Sequence, residues 1–136
     1  MQGGQGEPGA SQSRPVGVLI VDDQPTFRKA LRDLVAATPE LSLAGEADSG
    51  EAALEAVASL APRMVIMDKR MPGIGGLEAT RRIVDRHPDM VVLLVSVEVP
   101  ELQLMEGCGA AAFLRKQQLS PRALSAVWRE HGGGDR

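Results

Sequence analysis

The sequence predicts an α/β domain on a doubly wound, five-stranded parallel sheet with strand order 2-1-3-4-5. Three observations carry this. Apolar runs too short for helices end on polar residues, helical patterns separate them strictly, and 136 residues suffice for one domain but not two. Val16 to Val21 (VGVLIV) is an unbroken run closed by Asp22-Asp23. Met64 to Met67 is closed by Asp68, and Met90 to Val95 by Ser96. Continuous runs rich in β-branched residues suit strands covered on both faces. Leu41 to Ala47 alternates instead, as an edge strand would, and Ala110 to Leu114 supplies a weaker fifth strand.

The helices follow from their caps and spacing. Gln24-Pro25 opens the first, with Phe27, Leu31, Leu34 and Val35 on one face and Arg28, Lys29 and Arg32 on a solvated one. Ser49 caps the second, whose inward residues are expected to be Leu54, Val57 and Leu60 or Ala61. A third starts near Gly76 and presents Leu77, Thr80, Ile83 and Val84. Pro100 cannot sit inside a helix without losing a backbone hydrogen bond, so a fourth helix begins near it and is short. Ser120-Pro121 starts the last, with Leu124, Val127, Trp128 and His131 at helical spacing.

Composition narrows the function classes. Hydrophobic residues make up 43% and aromatic ones 2%, so the core is aliphatic, with Met64, Met67 and Met71 as packing residues. A single cysteine, Cys108, excludes an internal disulfide framework and reads as a buried structural thiol in a reducing, cytoplasmic setting. A net charge of −3 gives no general pull toward nucleic acid, and no apolar run is long enough for a membrane span. His87 and His131 sit near helix ends and read as surface residues. Residues 1–15, rich in Gly, Gln, Ser and Pro, read as a disordered tail, residues 16–131 as the folded domain and residues 132–136 as a frayed end.

In an open parallel sheet, ligands bind outside the carboxyl ends of the strands. Asp22 and Asp23 end the first strand, Asp68 the third and Ser96 the fourth, while Lys116 follows the fifth. Carboxylates brought together there repel one another unless a cation offsets them, and Mg²⁺ is the natural oxygen-liganded choice. Lys116 is placed to pair with Asp68 and then with a phosphoryl oxygen, and Ser96 supplies a hydroxyl to the same oxygen. A carboxylate nucleophile, Mg²⁺ and a lysine are parts that phosphoryl transfer uses. Singly, an aspartate at a helix start, a strand-end serine and a solvated lysine are unremarkable. Their joint placement at matching strand ends is what argues for a site.

The segments VLIVDDQPTFRKAL, VIMDKRMPGIGGLEA, LLVS and AFLRK resemble the successive signatures of the CheY-like receiver domain of bacterial response regulators, with wording similar to the NarL/LuxR-type subfamily. The resemblance spans roughly residues 16–131 and implies a flavodoxin-like fold. It also implies that Asp68 is the phosphoacceptor, and that Mg²⁺ is held by Asp23, by Asp22 partly through water, by Asp68 and by the main-chain carbonyl of Arg70. Ser96 and Lys116 would grip the phosphoryl group, and Phe113, three residues before Lys116, would be the aromatic switch. The implied partners are a sensor histidine kinase and an unknown output protein. A second copy of the chain, through the face around the fourth helix, fifth strand and last helix, is a further candidate. The implied chemistry is weak self-catalysed phosphorylation and hydrolysis rather than an enzyme's turnover.

Several residues depart from that family's pattern. Lys69 follows Asp68 where relatives carry an uncharged residue, and is expected to lower the Asp68 pKa or strain the local packing. Gly75-Gly76 lacks a polar residue before its second glycine, Gln117 replaces a proline after Lys116, and the Ser96–Gly109 stretch is short. Besides a phosphorelay receiver, the sequence leaves open the receiver part of a LuxR-type DNA-binding regulator and a phosphate-independent pseudo-receiver. A Mg²⁺-dependent aspartyl phosphohydrolase is disfavoured by Arg70, where such enzymes place a second acid.

Overall fold

The computed structural model describes residues 14–98 and 107–132. The elements are β1 (Val16–Val21), α1 (Pro25–Ala36), β2 (Leu41–Ala47), α2 (Gly50–Leu60), β3 (Met64–Asp68), α3 (Gly75–Arg86), β4 (Val91–Ser96), β5 (Ala112–Arg115), a 3₁₀ turn (Lys116–Gln118) and α4 (Pro121–His131). All strand pairs are parallel, in the order β2-β1-β3-β4-β5. The expected topology is the observed one. The short helix expected near Pro100 falls on residues 99–106, outside the described residues, as do residues 1–13 and 133–136 of the two expected tails.

Every residue of β3 and β4 is buried, because helices cover both faces of the central strands. Alternate side chains divide between two cores. Val18, Ile20, Ile66, Leu93 and Val95 meet Leu31, Val35, Leu124 and Trp128 on the α1/α4 side. Leu19, Val21, Val65, Met67, Val92 and Leu94 meet Ala53, Val57, Ala79, Ile83 and Cys108 on the α2/α3 side. The edge strands β2 and β5 are only partly covered.

The expected caps hold: Ser49 accepts from the Ala52 N–H and Ser120 from the Ala123 N–H. One helix face needs correction. On α2 the inward residues are Ala53 and Val57, one turn apart, with Leu54 partly covered, whereas Leu60 is 46% exposed. Ala61 is turned out of the helix altogether, taking a left-handed φ of 50° that ends α2. The fifth strand also starts two residues later than expected, at Ala112, although Ala111 already donates to the Val92 carbonyl.

Glycine at Gly76 is enforced by close approach. A Cβ there would collide with the main-chain oxygen of Asp68 and lie 2.9 Å from the Lys69 Cα. The N-terminus of α3 therefore lies directly against the end of β3, and the Gly76 N–H donates to the Lys69 carbonyl at 3.1 Å. Lys69 N–H in turn donates to the Val95 carbonyl at 2.8 Å, fixing the peptide after Asp68 to the neighbouring strand.

Candidate functional site

Asp22, Asp23 and Asp68 converge at the carboxyl end of the sheet, each offering an oxygen within 4.8 Å of the others. Asp22 follows β1 and is fully buried, Asp68 closes β3 with 5% exposure, and Asp23 is the most open to solvent. Asp22 has both oxygens engaged: Oδ1 accepts from the Gln24 N–H at 2.8 Å, and Oδ2 from Lys116 Nζ at 3.0 Å. Asp68 Oδ1 lies 3.8 Å from the same ammonium and accepts a long 3.4 Å bond from the Arg70 N–H.

Lys116 was expected to pair first with Asp68, and the geometry gives Asp22 the shorter contact. Asp22 is the acid with no exposure to water, so it gains most from a countercharge. The ammonium also sits 3.9 Å over the centroid of the Phe27 ring, which steers it away from bulk solvent. Phe27 was read only as a core residue; a ring beneath an ammonium 89 positions later leaves no mark in the sequence.

Electrostatically the cluster is under-compensated. The Asp68 carboxyl is pushed up to about 6, first by burial and then by the negative charge of Asp22, with Asp23 adding to it. Lys116 and the Arg70 N–H oppose this without cancelling it. The net shift is upward although Lys69 follows Asp68 directly, because burial and the two other acids dominate. Three oxygen donors that repel one another, beside one lysine, suit a hard divalent cation such as Mg²⁺.

The other expected residues fall around this cluster in different ways. Ser96 ends β4, 2% exposed, and its hydroxyl accepts from the Glu98 N–H at 3.1 Å. The register puts Val95 opposite Asp68, so Ser96 lies one position beyond the last residue of β3. Arg70 contributes its N–H to Asp68, while its guanidinium crosses the rim to Glu98 at 2.8 Å. Phe113 stands opposite Leu94 on β5, half-buried against the α2/α3 core rather than among the acids. Cys108 is buried, and His87 and His131 are exposed.

Two groups of polar contacts were missed, one at Glu51 and one at Arg28 and Arg32. Glu51, on the first turn of α2, accepts from the Ile74 N–H at 3.3 Å and so braces the loop after Asp68. Arg28 and Arg32 are not a free solvated face: Arg28 Nη1 donates to the Asp22 carbonyl at 2.7 Å, and both arginines pair with Glu46. Sequence spacing places Arg28 and Arg32 one turn apart, but nothing in it points to a strand-end glutamate as their partner.

A family model described as "Response regulator receiver domain" matches residues 18–128. The chain belongs to that family. Among curated proteins the receiver is similar to the response regulator GacA of Pseudomonas viridiflava, 42% identical over 103 residues, covering 74% of this chain and 48% of that protein. The chain thus spans about half the length of the curated relatives it matches. Among solved structures, the response regulator domain of Thermotoga maritima CheB superposes with a TM-score of 0.79 at 29% identity, covering 90% of this chain and all of that one. The receiver domain of a putative response regulator NarL from Mycobacterium tuberculosis gives 0.77 at 27% identity, covering 89% and 98%. The receiver is therefore a CheY-like α/β domain with NarL/LuxR-type neighbours, homologous to regulators of two-component phosphorelays.

Proposed function

We propose that Asp68 is the phosphoacceptor of this receiver, and that Asp22, Asp23, Asp68 and the Arg70 carbonyl serve a Mg²⁺ site. The observation that supports the reading is the convergence of three acids, two of them on Lys116, with Asp68 raised to about 6 by burial and then by Asp22. With both Asp22 oxygens already engaged, Asp23 and Asp68 are the more direct donors to the ion and Asp22 an indirect one. When bound, Mg²⁺ supplies charge neutralisation to the acids and to a phosphoryl group.

In phosphorylation, an ionised Asp68 oxygen attacks phosphorus. The new O–P bond forms as the donor's bond to phosphorus breaks, and the leaving group departs with that electron pair. The donor is a phosphohistidine of a sensor kinase. Lys116 sits within reach of both Asp22 and Asp68, so it can turn from them to a phosphoryl oxygen. The Ser96 hydroxyl donates to the same group, exchanging its present contact with the Glu98 N–H. Drawing Ser96 inward frees space at the end of β4, into which the Phe113 ring can move. Phosphorylation adds about −1.5 to −2 charge, enough to reorganise such a rim.

Residues 16–131 form the receiver unit in this reading, and it works in the cytoplasm as a switch rather than as a turnover enzyme. No helix of the described residues is long and apolar enough to cross a membrane. Its output is a partner protein, a second copy, or a DNA-binding region of a longer LuxR-type regulator. The test is incubation with acetyl phosphate and Mg²⁺ followed by intact mass, with Asp68→Asn alongside. A single phosphoryl adduct on the parent, absent from the variant, is the expected result. An unmodified parent that still binds Mg²⁺ would instead make this a pseudo-receiver.

A further inference from the structure

The turn between β1 and α1 delivers two of the three acids, and its own geometry needs an anchor. Asp22 is tied at its N–H, which donates to the Ala47 carbonyl at 3.1 Å, and at its carbonyl, which accepts from Arg28 Nη1 at 2.7 Å. That carbonyl belongs to the peptide joining Asp22 to Asp23. Holding it sets the plane of this peptide, and the plane sets the direction in which the Asp23 side chain leaves the backbone.

Arg28 can hold that position because it is itself held. Its Nε lies 3.3 Å from Glu46 Oε1, and Arg32 Nη1 donates to both Glu46 oxygens at 2.9 and 2.8 Å. Glu46 is the penultimate residue of β2, so the edge strand reaches the acid cluster through a glutamate, a guanidinium and a carbonyl in series. The Arg28 side chain is 20% exposed, against 69% for its neighbour Lys29, whose contact with Asp33 is a loose 3.7 Å. A purely solvated arginine would resemble Lys29.

We infer that Arg28 is a positioning residue for the cation site: through the Asp22 carbonyl it fixes the peptide that aims Asp23, with Glu46 and Arg32 as its support. The inference rests on the reading of Asp22, Asp23 and Asp68 as a divalent-cation site. Residues that orient metal ligands typically change affinity by about 10-fold or more when lost. The planar fork is the working part, so lysine at position 28 keeps the charge but not the geometry.

The test is calorimetric titration of the full chain with Mg²⁺, together with metal-free amide exchange at Asp23 and Gln24. Arg28→Ala should weaken Mg²⁺ binding about 10-fold and speed exchange of those two amides. Arg28→Lys and Glu46→Gln should each do so in part, and they carry the comparison if Arg28→Ala does not fold. Arg129→Ala, which breaks an ion pair with Glu40 at the other end of the sheet, should leave both readouts unchanged. Folded Arg28 variants that bind Mg²⁺ as tightly as the parent overturn the inference. A parent that binds no Mg²⁺ sinks the cation-site reading instead, and the metal-free exchange alone then decides whether Arg28 orders the turn.

Discussion

Asp68 and Glu40 are carboxylates at opposite ends of one sheet, and their proton affinities move in opposite directions. Asp68 at the carboxyl end is pushed up to about 6 by burial and by Asp22. At the amino end, burial would likewise raise Glu40, but hydrogen bonds from Ser125 and Arg129, with the charge of Arg129, hold it below the ordinary carboxylate range. Ser125 Oγ donates to both Glu40 oxygens at 2.8 and 2.9 Å, and Arg129 Nε adds a bond at 2.9 Å. Glu40 thus has its complement within the chain. In the acid cluster Asp22 and Asp68 divide Lys116 while Asp23 adds a third negative charge, and Asp68 stays raised; under the proposed reading, that difference separates a cluster suited to taking up a cation from an acid that holds the fold together.

The comparison breaks most visibly if Lys116 is removed. Its partner Asp22 has no exposure, and stripping one member from a buried pair costs about 3–5 kcal/mol. Because Asp22 keeps its bond from Gln24, Lys116→Met is expected at the lower end, about 3 kcal/mol, in urea unfolding without metal. Mg²⁺ should restore part of that loss, and no restoration would mean the acids do not share a cation.

The pH dependence should differ in sign between the two ends. The folded state binds the Asp68 proton more tightly than the unfolded chain, where the group titrates near 3.8. Its contribution is therefore full below about pH 4 and is lost as pH rises through about 6. Without metal, Asp68→Asn should remove that decline and be more stable than the parent at neutral pH. Glu40 behaves oppositely, contributing above its ordinary value of 4.5 and losing that contribution as pH falls through its lower folded pKa. Unfolding midpoints across the acid range for the parent, Asp68→Asn and Glu40→Gln separate the two effects.

Smaller effects sharpen the same contrast. Ser125→Ala leaves Glu40 its arginine and should cost about 1 kcal/mol, with no change in Mg²⁺ affinity. Glu98→Ala breaks an exposed ion pair with Arg70 and should alter stability by less than about 1 kcal/mol. A larger loss would show the rim of the site to be more rigid than its exposure implies.

Much of this was legible in the sequence because each central strand runs unbroken into a polar residue. Asp22-Asp23, Asp68 and Ser96 mark where β1, β3 and β4 end, and the rule for parallel sheets places those ends together. What stayed hidden depends on side-chain reach between elements. The preference of Lys116 for Asp22, the Phe27 ring beneath it, and the path from Glu46 through Arg28 to the Asp22 carbonyl join residues with no shared pattern. The inward face of α2 was misjudged for another reason: periodicity puts Leu60 in line with Val57, but the left-handed Ala61 ends the helix there and leaves Leu60 at the surface.

An electrostatically incomplete cluster should exchange its proton for a metal ion. At pH 6, near the Asp68 pKa, Mg²⁺ titrated calorimetrically in buffers of different ionisation enthalpy should release a fraction of a proton per ion bound. That release should vanish at pH 8 and in Asp68→Asn. Mg²⁺ binding with no proton released at pH 6, or with the same release from Asp68→Asn, would contradict the account.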